Sequence, residues 1–292
     1  MDEDNELAFF TKFHHSQCFD SCYPIKLFPE EKELDELSFS DITIFCGGNG
    51  SGKTTLLNII AETLKLNRIT PFNKTYFFDP YTASCDYELS IKDPIKLRYL
   101  MNKSKIITSD DVFNHIIKVR EKNENIDFKR QVIIDEKESI GKYGYTRERP
   151  KGFNTDDPES MKAYINYADF LKHPTHRLVR DKVGYSERTY SNGENGFKYF
   201  INAIQPGGLY LLDEPENSLS AEMQLELVQF LQNMARFYNC QFVISTHSPF
   251  ILSLPFAKIY HLDTTPVEIC KWTDLPNVRI FHEFFKAHES EF

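Results

Sequence analysis

Gly47-Gly48-Asn49-Gly50-Ser51-Gly52-Lys53-Thr54 stands between an apolar run, Ile42-Thr43-Ile44-Phe45-Cys46, and the segment Thr55-Leu56-Leu57-Asn58-Ile59-Ile60-Ala61-Glu62-Thr63-Leu64. The eight residues fit G-x-x-x-x-G-K-[ST], the pattern of a phosphate-binding loop. The run before them has the length and apolarity of a buried strand, and the spacing after them predicts a helix. Glycines let the backbone wrap so that successive N–H groups point at phosphate oxygens, and the N-terminus of the helix adds partial positive charge. Residues 47–55 are therefore the candidate phosphate cradle. Lys53 is placed to reach the β- and γ-phosphates, and the Thr54 hydroxyl to ligate Mg²⁺.

A second run, Leu209-Tyr210-Leu211-Leu212, ends in Asp213-Glu214-Pro215-Glu216. It is too short for a helix and reads as a buried parallel strand, which sets both carboxylates at the sheet edge where ligands bind in such folds. Asp213 is expected to hold Mg²⁺ and Glu214 to polarise an attacking water. A third strand, Gln241-Phe242-Val243-Ile244-Ser245, ends in Thr246-His247-Ser248-Pro249. His247 is the candidate hydrogen-bond partner of the γ-phosphate or of that water. Between the last two, Ala221 to Tyr238 has helical spacing. Strand alternating with helix argues for an α/β core with helices on the faces of a mostly parallel sheet.

The remaining readings are coarser. Thr75-Tyr76-Phe77-Phe78 is a further strand candidate. Ser109 resembles an N-cap, with Asp110 and Asp111 in the first turn of a helix running through Val119. Gly141, Gly144, Pro150 and Gly152 then mark loops, and a second helix is predicted from Pro158 through Leu171. Net charge is −9 over 292 residues. Residues 92–189 carry 21 Lys/Arg against 16 Asp/Glu, and the rest 13 against 27, so the middle is basic and the two ends acidic. Diffuse nucleic-acid binding by the whole surface is excluded by that balance. The acidic start and the absence of a long apolar run predict a cytoplasmic protein with no membrane span. Six scattered cysteines read as reduced thiols, with Cys46 and Cys240 in the core. Cys18 and Cys22, close to His14 and His15, fit no familiar zinc spacing.

Together the phosphate loop, the acidic strand end and the His turn resemble the ABC-type ATPases, the class of transporter motors and of SMC-like chromosome and repair ATPases. Within it the chain is similar to small stand-alone bacterial ATPases often labelled AAA-family. The resemblance implies a P-loop head with a mostly parallel central sheet, N-terminal antiparallel strands and a helical insertion. Residues 1–91 and 190–292 would form the core and 92–189 the insertion. It also implies a serine-glycine signature before the acidic strand. Ser191-Asn192-Gly193-Glu194-Asn195-Gly196 occupies that position, and Ser191, Gly193 and Glu194 would contact ATP held by an opposite subunit. Two ATP molecules with Mg²⁺ would be sandwiched in a head-to-tail homodimer. Asn217-Ser218-Leu219-Ser220 matches the turn through which such subunits communicate, with Ser220 in place of the usual aspartate. Phe78-Asp79-Pro80-Tyr81 falls where the family's glutamine loop is expected, but has no glutamine. The adenine-stacking aromatic is unassigned. The resemblance implies the motor and not its job; the basic helical middle segment, which sits where SMC-like relatives carry coiled-coil arms, points to a clamp or switch acting on nucleic acid, on an effector protein or in anti-phage defence. The alternatives are the ATPase subunit of a membrane transporter and a nucleotide-gated interaction module with little turnover.

Overall fold

The computed structural model describes residues 10–14, 28, 32–34, 36–143 and 192–292. The chain divides into two compact units, one of Met1–Asn114 with Ser191–Phe292 and the other of His115–Tyr190. In the first, β1 (Phe10–His14) pairs antiparallel with β2 (Glu36–Ser38) and with β4 (Asp86–Leu89), forming a small three-stranded sheet. The central sheet has the order β5-β6-β7-β3-β8-β9. Its members are β3 (Ile42–Cys46), β5 (Lys105–Thr108), β6 (Leu209–Asp213), β7 (Gln241–Ser245), β8 (Lys258–His261) and β9 (Glu268–Cys270). Every pairing is parallel except that of β8 with β9. Every residue of β3, β6 and β7 is buried. That is why these strands read as continuous apolar runs: a parallel strand covered on both faces has no solvated side to mark by alternation.

Among the described residues the helices are α1 (Lys53–Thr63), α2 (Phe78–Ser84), α3 (Pro94–Lys103), α4 (Ser109–Tyr143), α5 (Asn192–Ala203), α6 (Ala221–Tyr238), α7 (Pro249–Leu252) and α8 (Pro276–Ala287). Leu56, Leu57, Ile59 and Ile60 of α1 lie in the main core with Phe45 of β3, Leu211 of β6 and Val243 of β7. This packing fixes the loop between β3 and α1 against the carboxyl ends of β6 and β7.

Two expectations are corrected. Residues 75–78 do not form a strand: the Phe78 N–H donates to the Thr75 carbonyl at 3.1 Å, closing a turn into α2. Asp79 and Pro80 fall in its first turn, where a proline's fixed φ and missing donor cost nothing. Phe78 and Tyr81 are buried in the core, so this segment belongs to packing. Nor is Ser109 the cap of α4. Thr108 and Asp111 form a reciprocal capping box, with Thr108 N–H to Asp111 Oδ2 at 2.8 Å and Asp111 N–H to Thr108 Oγ1 at 3.4 Å. Asp111, only 3% exposed, also accepts from the Thr70 N–H at 3.0 Å and from the Thr70 hydroxyl. Asp111→Ala strands these donors, and a loss of about 2 kcal/mol in chemical denaturation is expected. A midpoint unchanged from wild type would mean that solvent replaces the carboxylate.

The core continues through α3 and β5, since β5 is an edge strand of the central sheet in register with β6, Thr108 opposite Asp213. The second unit begins at His115, within α4, whereas the sequence places the insertion's start at residue 92. Cys46, Cys85 and Cys240 are buried free thiols, and burial pushes Cys46 up to about 12. Cys18, Cys22, His15, Ser191 and the helix expected from Pro158 to Leu171 lie outside the described residues.

Candidate nucleotide site

Four strand ends meet along the carboxyl edge of the central sheet. β3 delivers residues 47–52, β6 delivers Asp213 and Glu214, β7 delivers Thr246 and His247, and β8 leads to Asp263. The loop turns through left-handed φ values at Gly50 (+82°) and Gly52 (+97°), which side-chain-bearing residues rarely adopt. A Cβ at Gly47 would stand 2.7 Å from the Ser51 hydroxyl. Helix α1 starts at Lys53, with Gly52 as an N-cap that offers no side chain and no acid in its first turn, so its leading N–H groups stay available to an anion. Gly48 N–H donates to Asp263 Oδ2 at 2.7 Å, tying the outer limb of the loop to the segment after β8.

Lys53 is 4% exposed. Its Nζ donates to the carbonyls of Gly47 at 2.9 Å and Gly48 at 3.0 Å, folding back over the loop. Burial lowers its pKa, and Glu214 nearby works in the opposite direction. The Thr54 hydroxyl donates to Asp213 Oδ1 at 3.0 Å, and Ser245 Oγ donates to the same oxygen. Burial raises the Asp213 pKa against these two hydrogen bonds. A cavity of about 190 Å³ is lined by Asn49, Gly50, Gly52, Lys53, Thr54, Thr55 and Glu214. Whole small-molecule sites usually exceed roughly 300 Å³, so this one is sized for a phosphate chain rather than for a complete nucleotide.

Glu214 has left-handed backbone angles, φ 46° and ψ 56°, a strained conformation for a residue with a side chain. It is fixed there by its N–H to the Ser245 carbonyl at 3.0 Å, and Asn217 Nδ2 donates to its Oε2 at 2.9 Å. Its other oxygen is 3.6 Å from His247 Nε2, a buried atom with no hydrogen-bond partner. Ser51 Oγ is likewise buried and unpartnered. Orphaned polar atoms beside a polar cavity fit a ligand that brings its own donors and acceptors.

The donor set suits Mg²⁺: a threonine hydroxyl and an aspartate oxygen 3.0 Å apart are hard ligands for an ion that keeps several waters. Residues 49–55, Asp213, Glu214 and His247 are thus gathered at one edge. Gly193 and Glu194 are not among the residues lining the cavity. α5 does begin at Asn192, and a Cβ on Gly193 would meet Ser220 N at 3.4 Å; on Gly196 it would meet Leu219 Cδ2 at 3.1 Å. The glycines let α5 lie close against the turn that follows Glu214.

Asp263, Ser245 and Glu216 escaped sequence reading. Asp263 is 215 positions from Gly48, so no local pattern links them. Ser245 and Glu216 differ: each stands at the end of an apolar run, which marks that edge of the sheet.

A family model described as "AAA domain, putative AbiEii toxin, Type IV TA system" matches residues 200–253, a stretch that spans β6, α6, β7 and α7. No curated protein matches the chain. Among solved structures, the chain is similar to an Smc head domain with an extended coiled coil bound to the C-terminal domain of ScpA, derived from Pyrococcus furiosus. That match has TM-score 0.42 and 12% identity, covering 94% of this chain and 99% of that one. It is similar to an ATP-binding cassette in a dimeric post-hydrolysis state bound to ADP and Pi, with TM-score 0.40, 15% identity and coverage of 89% and 98%. It is also similar to a bacterial ABC transporter cassette in dimeric form, with TM-score 0.38, 16% identity and coverage of 82% and 90%.

Proposed function

We propose that this chain, a P-loop ATPase of the ABC type, hydrolyses ATP in sites completed between two copies of itself. The observation that carries the reading is the joint one at the sheet edge. The Thr54 hydroxyl is bonded to Asp213, and Glu214 lines the same cavity as the phosphate loop. The loop's N–H groups and Lys53 hold the β- and γ-phosphates. Thr54 and Asp213 would hold Mg²⁺, which when bound neutralises charge on the phosphate oxygens. Glu214 orients a water and accepts its proton as the water oxygen attacks the γ-phosphorus. The bond to the β-phosphate oxygen breaks, leaving ADP and inorganic phosphate. His247, 3.6 Å from Glu214, donates to the γ-phosphate or steadies the water.

The lining of the cavity supports the shared-site reading. Neither Gly193 nor Glu194 of the same chain is among the residues that line it. We assign Ser191, Gly193 and Glu194 to the γ-phosphate bound by the partner. Oligomeric mass with Mg²⁺-ATP tests this, with Glu214→Gln preventing turnover. A dimer that forms only with ATP and is lost on adding Ser191→Arg is the expected result. A monomer under saturating ATP would overturn the shared site.

As for the job, α4 carries seven Lys/Arg against eight Asp/Glu, so the basic surplus of residues 92–189 does not reside in this 35-residue helix. A near-neutral helix favours an effector protein over a phosphate backbone as the partner gated by the ATP cycle. Nucleic-acid binding remains the second reading, motivated by the basic residues outside α4. No described helix is long and apolar enough to cross a membrane.

A further inference from the structure

We propose that Glu216, two residues beyond the catalytic glutamate, is the positioning residue that sets the His247 turn. Within itself the turn has one bond, from the Ser248 N–H to Thr246 Oγ1 at 3.0 Å, and the Thr246 N–H donates to the Phe45 carbonyl at 3.2 Å. It follows β7 directly. Three of its donors converge on one oxygen of Glu216. Thr246 Oγ1 donates to Oε1 at 2.7 Å, His247 N–H at 2.6 Å and Ser248 N–H at 3.1 Å. Two consecutive backbone amides and a hydroxyl on a single carboxylate oxygen make a small anion nest built by the chain for its own side chain. Hydrogen bonds to a charged acceptor are the short, strong kind, so this contact fixes the backbone on either side of the imidazole.

The anchoring residue is itself tied to the catalytic one. Pro215 alone separates Glu214 from Glu216, and the four residues 215–218 form a tight 3₁₀ turn. Asn217 N–H donates to the Glu214 carbonyl at 3.2 Å, while Asn217 Nδ2 holds the Glu214 carboxylate. One turn therefore grips the base through Asn217 and the His247 loop through Glu216. Two further bonds brace the loop. Ser248 Oγ donates to Gln224 Oε1 at 2.6 Å, and Asn277 Nδ2 donates to the His247 carbonyl at 3.2 Å. The imidazole Nε2 lies 3.6 Å from Glu214 Oε1.

Glu216 Oε2, by contrast, is buried and has no partner. Burial raises the Glu216 pKa, as expected for a carboxylate satisfied on one oxygen only. The asymmetry shapes the test. A glutamine keeps an acceptor oxygen at the Oε1 position, and places its NH₂ where no bond is now made. An alanine removes the acceptor. An aspartate keeps the charge but is one methylene short.

The inference rests on Glu214 and His247 acting as assigned above, so Glu214→Gln is the reference variant. Steady-state ATPase kinetics are measured on the full chain. In Glu216→Ala and Glu216→Asp, kcat is expected to fall about ten- to a hundredfold, the range for a catalytic group displaced by about an ångström. KM for ATP should change less than twofold, because the phosphate loop is untouched. Glu216→Gln should restore kcat to within about threefold of wild type, which lost stability alone would not produce. Wild-type kcat in the Ala and Asp variants, with Glu214→Gln inactive, overturns the proposal while leaving the proposed function standing. So does a Gln variant as slow as the Ala variant, or a KM that rises in step with the fall in kcat. An active Glu214→Gln overturns the underlying reading instead.

Discussion

Glu214→Gln is expected to lower ATP turnover by about a hundredfold to ten-thousandfold, the range for removal of a general base, while leaving nucleotide affinity within a few-fold. The amide is nearly isosteric, and its oxygen still accepts from Asn217 Nδ2, so the strained turn keeps its shape. What is lost is the ability to take a proton. Phosphate release monitored under saturating Mg²⁺-ATP, beside a direct binding titration, separates the two effects. Retained turnover would move the base elsewhere along the sheet edge. Equal loss of binding and turnover would mean that Glu214 serves the phosphate cradle instead.

Lys53→Ala is the complementary experiment and acts on binding. The ammonium group is buried against the loop carbonyls and is the cation that lines the cavity. Each charge-assisted bond to phosphate is worth roughly 1.5–3 kcal/mol, so ATP affinity should fall on the order of a hundredfold. Measured by thermal shift, wild type at a hundred times its Kd should gain about 2.7 kcal/mol of stability, and the variant almost none at the same concentration. The ligand-free variant should melt close to wild type, since burial already works against the charged form of this side chain. A full ATP-induced shift in the variant would remove Lys53 from the site.

Local pattern carried most of this site. Residues 47–54 are contiguous because a loop that wraps a phosphate uses consecutive N–H groups; Asp213 ends one buried five-residue strand and Glu214 follows it, and His247 stands two residues past another. What was not legible depends on contacts distant in sequence. β5 is a short strand held by pairing with β6, more than 100 positions later, and by a single bridge to Asn67, whose carbonyl accepts from the Ile106 N–H at 3.0 Å. Phe78 looked like a strand residue because its aromatic neighbours have β propensity; Pro80 and burial against α1 decide for a helix. The cap of α4 was read one residue late because Ser109 and Thr108 are both good caps, and only the reciprocal bond to Asp111 separates them. Glu216 stood in plain view beside Asp213 and Glu214, yet its partners arrive with β7, some 30 positions on.

The strand order also fixes when the candidate site can form during synthesis of the chain. β3 lies in the middle of the sheet, and both of its neighbours, β7 and β8, come from the last fifth of the sequence. After Cys46 leaves the ribosome, about 200 further residues must be made before β7 can pair with it, on the order of 10–40 s at roughly 5–20 residues per second. Through that interval the phosphate loop hangs from an apolar strand with two open edges, and it has neither Asp213 nor His247 to complete it. The intervening chain, including α4, is finished first. The candidate site is therefore unformed through that interval, and β3 presents two unpaired edges until β7 and β8 arrive.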